Sequence, residues 1–201
     1  MLLDADDCQL VLVDYQTRLM PALHDSAAVI ANAVRLARLA EAMQVPCFGT
    51  EQNPAKLGEN LPEIRALCQK TLAKMHFSAC ADGLVDWLRP PAPPQRGNAR
   101  SLPKHLQKPQ ADDAEARSTI VVAGCESHVC LLQTVLDLLD EEFDVWVVTD
   151  ACSSRTERSR DAAFDRLAGA GAELVTTEMV AFEWLRTADH PAFKTVQALI
   201  K

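Results

Sequence analysis

Short apolar runs rich in β-branched residues recur along the chain at Gln9–Val13, Val45–Thr50, Thr119–Ala123 and Asp144–Thr149, with a weaker run at Glu173–Thr177. The four stronger runs are continuously apolar rather than alternating, the pattern of strands covered on both faces of a parallel sheet. Helical spacing separates them. Between Ser26 and Met43, the residues Ile30, Ala33, Val34, Ala37, Ala40 and Met43 repeat every three or four positions on one face. Val129–Asp140 does the same with Leu132, Val135, Leu136 and Leu139. Ser154-Arg155-Thr156-Glu157 has the form of a capping box, predicting a helix that ends near Gly169 or Gly171. Two short helices are expected to close the chain, one after Thr177 and one starting around Pro191, a residue suited to a first helical turn. Alternating strands and helices predict an α/β layered sandwich with right-handed crossovers.

One segment interrupts this rhythm. The stretch from Arg89 to Arg117 has no periodicity and is rich in proline and basic residues, so it is expected to be a surface insertion. A solvated loop is the favoured reading, with contact to an acidic neighbouring subunit as the alternative. At 201 residues the chain is then expected to form a single domain across 1–201 that carries this insertion. Its 48% hydrophobic and 24% charged content is that of a globular protein and excludes wholesale disorder, collagen and coiled-coil rods. A net charge of −8 supplies no bulk attraction for nucleic acid or an anionic membrane. No apolar run approaches the roughly 20 residues that cross a bilayer. The N-terminal MLLDADDCQL is acidic where a secretory signal needs a basic end, so a cytoplasmic location is expected. Cys8, Cys47, Cys68, Cys80, Cys125, Cys130 and Cys152 are odd in number and scattered, which predicts reduced thiols rather than a disulfide framework.

Ligands of open α/β sheets bind beyond the carboxyl ends of the strands. Asp14 ends the first run there, with helix or turn capping an equally good reading of it. Cys130 follows the Thr119–Ala123 run by way of a glycine turn and is expected in the first turn of a helix beginning near Ser127. Free N–H groups and the helix dipole would stabilise a thiolate at that position and lower its pKa, and the amides could hold an oxyanion. Packing is the commoner role of such a cysteine. The Ser127 hydroxyl is expected to cap this helix. His128 is two residues away and would project from another helical face, and His24, His76, His105 and His190 form no Cys–His pattern. Cys125, His128 and Cys130 are too tightly spaced to close a zinc tetrahedron. Lys74, in TLAKMHFS, is either drawn towards a buried acid or solvated at an element edge, which position alone favours.

Taken together, LVLVDYQ, Lys74 before HFSA, and GCESHVCLLQT followed by DVWVVTDACSSR resemble the isochorismatase-like cysteine hydrolases. The resemblance runs through nearly the whole chain, including EMVAFEWL and HPAF near its end. It implies a three-layer α/β sandwich with a central parallel sheet of about five or six strands and helices on both faces. It also implies an Asp–Lys–Cys triad, which maps onto Asp14, Lys74 and Cys130. A non-proline cis peptide before the nucleophile maps onto Cys125–Glu126, with the Glu126 and Cys130 amides as oxyanion hole. In that scheme Asp14 takes the thiol proton, Lys74 holds the carboxylate and stabilises the thiolate, and Cys130 attacks an amide-like carbonyl to give a thioester. The resemblance further implies a homo-oligomer acting on a small molecule.

Departures narrow the expectation. Nicotinamidases of this superfamily carry a histidine-rich metal site after the second strand, whereas Thr50–Lys56 contains no histidine, so no metal or other cofactor is expected. Isochorismatases proper cleave a vinyl ether without a cysteine nucleophile, and Cys130 argues against that chemistry. Gln16, Gln52, Asn53, Phe77 and His128 are expected near the triad by position, while Trp87 is expected in the core. The leading expectation is a cysteine hydrolase of a small amide or related acyl compound. A catalytically silent oligomeric scaffold and a nicotinamidase-type amidase stand as alternatives. A dinucleotide-binding enzyme is disfavoured because no G-x-G-x-x-G follows any strand.

Overall fold

The computed structural model describes residues 1–90 and 117–201, so most of the insertion expected at 89–117 lies outside the described residues. Six parallel strands form one sheet: β1 (Cys8–Val13), β2 (Cys47–Gln52), β3 (Lys70–Lys74), β4 (Thr119–Gly124), β5 (Asp144–Val148) and β6 (Glu173–Val175). Their order is β3-β2-β1-β4-β5-β6, so the chain steps outward from β1 to one edge and then returns to the other side of β1. β1 and β4 are buried at every position, as their continuous apolar character predicts.

The helices form two layers. α1 (Ser26–Ala42) packs with α3 (Pro62–Arg65), α7 (Thr177–Leu185) and α8 (Phe193–Ile200). α5 (Leu132–Asp140) packs with α6 (Glu157–Ala170). The remaining short helices, α2 (Pro54–Leu57) and α4 (Leu84–Leu88), follow β2 and precede the insertion. The result is the three-layer α/β sandwich expected, with six strands. No helix among the described residues is long and apolar enough to cross a membrane.

β3 has no counterpart among the apolar runs. Its KTLAK sequence lies at the sheet edge with four of five residues exposed or half-exposed, so it never needed a continuous apolar signature. A second difference concerns α6. Thr156, not Ser154, is its N-cap and accepts from the Ser159 N–H, while Ser154 turns inward to meet His128. At the far end Gly171 caps the helix at φ 103°, as expected. Trp87, expected in the core, is half-buried and packs against its edge, its ring 6.1 Å from that of Phe48.

The switch in strand order falls between β1 and β4, where ligands of this sheet class bind. The two strands pair from Cys8–Thr119 to Val13–Gly124. Gly124 closes that register at φ 159°, and a Cβ there would lie 2.4 Å from Val13 O and 2.5 Å from Val13 Cβ. Only glycine fits this approach.

Candidate active site

Five segments meet at the carboxyl edge of the sheet. Asp14 leaves β1 in a left-handed conformation, φ 56°, which Asp tolerates better than most residues. Its N–H donates to Thr50 O at 3.2 Å, and its Oδ1 accepts from Thr50 Oγ1 at 2.7 Å. Lys74 ends β3 and is 2% exposed, not solvated as its position in the sequence favoured. Its Nζ lies 2.8 Å from Asp14 Oδ2 and donates to Gln52 Oε1 at 2.8 Å, to Phe77 O at 3.0 Å and to His76 O at 3.4 Å. A buried ammonium is tolerable only when so surrounded. Asp14 Oδ2 has ion-pair distance to Lys74 without hydrogen-bond alignment, so this oxygen keeps an open acceptor direction.

Cys130 enters on the turn after β4. The expected first α-helical turn is instead a wider π-turn over Ser127–Leu131, continuous with α5. Val129 and Leu131 N–H groups both donate to Glu126 O, at 3.0 and 3.3 Å. Single π-turns inside helices are concentrated at functional sites. The peptide Cys125–Glu126 is cis, and the Glu126 N–H donates to no backbone carbonyl among the described residues. Ser127 does not cap: its hydroxyl is buried without a partner and the turn has no side-chain cap. The Cys130 thiol lies 3.9 Å from Gln52 Oε1, the same oxygen that receives Lys74.

The expected low thiol pKa is not found. Burial, at 6% exposure, and the Asp14 carboxylate push the Cys130 thiol up to about 12, against the opposing pull of Lys74. Desolvation of the charged form outweighs the benefit of a helix terminus. Cys130 therefore rests as a neutral thiol.

Gln16 is fully buried and acts through Gln52. Its Oε1 accepts from Gln52 N at 2.9 Å, and its Nε2 donates to Gln52 O at 3.0 Å. Gln52 Nε2 is in turn anchored on Met75 O at 2.8 Å. Asn53 adopts a left-handed conformation, φ 39°, and its N–H donates to Lys74 O. Phe77 contributes its carbonyl to Lys74 while its side chain is 52% exposed. His128 meets Ser154 Oγ at 2.9 Å. Glu126 pairs with Arg155 at 2.9 Å. Sequence reasoning missed Thr50, which pairs opposite Val13 and so lies beside Asp14. No group of three or more His, Cys, Asp or Glu among the described residues is arranged to hold a metal ion.

The isochorismatase domain profile matches residues 101–179. Isochorismatase domain-containing protein 2 of Xenopus laevis is 34% identical over 191 residues, covering 95% of this chain and 82% of the relative. The chain belongs to the isochorismatase family. Isochorismatase domain-containing protein 2A of Mus musculus is 33% identical over 192 residues, covering 96% of this chain and 82% of the relative. Among solved structures, a Caenorhabditis elegans protein described as MAR1 ribonuclease superposes with a TM-score of 0.83 at 28% identity, covering 100% of this chain and 92% of the other. The Escherichia coli YcaC gene product, described as an octameric hydrolase of unknown specificity, superposes with a TM-score of 0.79 at 26% identity, covering 99% and 90%.

Proposed function

We propose that this member of the isochorismatase family is a cysteine hydrolase of small amides or related acyl compounds, with Cys130 as nucleophile, Asp14 as base and Lys74 as the charge that organises both. The observation that carries it is the fully buried Lys74–Asp14 pair, which acts on the Cys130 thiol from both signs at once. Such a pair is costly to bury and is concentrated where chemistry uses it.

Because the thiol rests neutral, its proton leaves as attack begins. The Cys130 sulfur bonds to the carbonyl carbon while the proton passes to Asp14 Oδ2. The carbonyl electrons collect on oxygen, facing the Glu126 and Cys130 amides. Collapse breaks the C–N bond, and Asp14 returns the proton to the departing amine. Water then attacks the thioester carbonyl and Asp14 takes its proton; the C–S bond breaks, and Asp14 passes that proton to the departing sulfur, restoring thiol and carboxylate. Gln52 and Gln16 are positioning residues that hold Lys74 in place, and Thr50 fixes the carboxylate plane.

The ribonuclease description of the C. elegans relative makes RNA the second substrate to test. Two features favour the acyl reading: the net charge of −8, and a site ammonium already engaged by Asp14. The octameric description of the E. coli relative, together with Met75 and Phe77 exposed beside the site at 66% and 52%, supports a homo-oligomer. Seven free cysteines suit a reducing, cytoplasmic setting.

The deciding experiment incubates the protein with a panel of small amides and esters and with an RNA oligonucleotide, followed by intact-mass spectrometry. Acyl adduct on Cys130, absent from Cys130→Ala, is expected. Full turnover by Cys130→Ala, or RNA cleavage without any acyl adduct, would overturn the reading.

A further inference from the structure

At the opposite end of the sheet, two thiols face each other. Cys47 opens β2, and Cys68 lies in the turn leading from α3 into β3. Their sulfurs are 3.9 Å apart, and the Gln69 N–H donates to Cys47 O at 2.8 Å, holding the two stretches in register. The Cys68 thiol also reaches Ile64 O at 3.4 Å. Gly49 leaves it room to turn: a Cβ there would stand 3.1 Å from Cys68 Sγ. Cys47 is 4% exposed and lines a surface cleft of about 360 Å³ with Val45, Ala66, Leu67 and Gln69, while Cys68 is itself half-buried. A small oxidant therefore reaches this pair more easily than the buried Cys8, Cys125 or Cys152.

The chemistry of the two sulfurs differs. The Cys47 thiol beside it lowers the Cys68 pKa against the effect of burial, whereas the same contact raises Cys47, with burial adding to the rise. Every other thiol in the chain moves upward. A partly exposed cysteine with a second thiol 3.9 Å away is the arrangement of a peroxide-sensitive dithiol.

We propose that Cys47 and Cys68 are a redox-active pair that a hydroperoxide closes to a disulfide, tying the start of β2 to the lead-in of edge strand β3. The Cys68 sulfur attacks the peroxide, the O–O bond breaks, and Cys68 becomes a sulfenic acid. Cys47 then attacks that sulfur, the S–O bond breaks, water departs and the S–S bond forms. The two thiols lose two electrons and two protons, and hydrogen peroxide becomes two waters. The sulfurs must close from 3.9 Å to about 2.05 Å. The linked loop carries Thr50 and Gln52, which bond Asp14 and Lys74, and β3 carries Lys74 itself, so the tie clamps two of the strands that contribute to the site.

The test exposes the full-length protein to low hydrogen peroxide, alkylates the remaining thiols and maps peptides by mass spectrometry. A 47–68 cross-link is expected, with a loss of about 2 Da, reversal by dithiothreitol and a thermal midpoint raised by about 5 °C. Cys47→Ser should leave a dimedone-reactive sulfenic acid on Cys68, and Cys68→Ser should abolish the cross-link. Retention of alkylatable Cys47 and Cys68 after peroxide treatment that oxidises other thiols would overturn the proposal. So would pairing of either with a different cysteine or with a second chain. The wild-type map decides alone if a variant does not fold.

Discussion

Thr50 Oγ1 donates to Asp14 Oδ1 at 2.7 Å, and so leaves Oδ2 as the oxygen that meets Lys74 and stays open to a further proton. The carboxylate is held with one edge occupied and the other available, which is the geometry a base requires.

Thr50→Val keeps the shape and removes this hydrogen bond. It should cost about 1 kcal/mol of stability and lower kcat about tenfold with little change in KM. Chemical denaturation and steady-state kinetics on a substrate found in the amide panel check this. A changed KM with constant kcat would mean that Thr50 touches substrate rather than orienting Asp14.

Lys74→Met leaves the Asp14 charge buried without its partner, so a loss of about 3–5 kcal/mol is expected. The double variant with Asp14→Asn removes both charges and should recover a large part of that loss. A double-mutant cycle in urea reads the coupling directly. Strictly additive losses would show that the two groups, 2.8 Å apart, do not stabilise one another.

Cys130→Ala should abolish turnover, by at least about a thousandfold, and change stability by no more than about 1 kcal/mol. In the wild type, iodoacetamide alkylation of Cys130 should be slow at neutral pH. Its rate should keep rising by about tenfold per pH unit past pH 9, because the thiol is pushed up to about 12 by burial and by Asp14. A rate that levels off near pH 8 would mean that Lys74 dominates the site.

Alkali should unfold the protein early. Burial pushes Cys8 to about 11 and Cys80 and Cys152 to about 12, and it lifts Cys125 and Tyr15 well above their usual values. These groups keep their protons when folded at pH values where the unfolded chain has released them. Stability is thus fully present below about pH 9 and is lost as pH rises towards 12. Thermal midpoints measured from pH 7.5 to 10.5 should be level at first and then fall. A flat profile to pH 10.5 would contradict the buried-thiol account.

The buried strands were legible because a parallel sheet covered on both faces demands continuous apolar runs, and β1, β4 and β5 carry them. β3 was not, since an edge strand with half its surface in solvent needs no such run. Asp14, Lys74 and Cys130 were named from motif and chain order, and the structure brings them into one site. The burial that reverses the thiol's expected pKa is a property of packing from several segments, invisible in any local window. Thr156 displaced Ser154 as a helix cap because Ser154 has a tertiary partner in His128, a contact across 26 positions that no capping rule contains.

Gly124 gives the site its dimensions. Asp14 departs from the sheet one residue after Val13, and the turn bearing Cys130 departs one residue after Gly124, so both measure their spacing from the same backbone crossing. A methyl group at that crossing would wedge the two middle strands apart and carry acid and thiol away from each other. The span between them is thereby written into main-chain geometry, and the loops around the rim are left free to diversify in shape without retuning it.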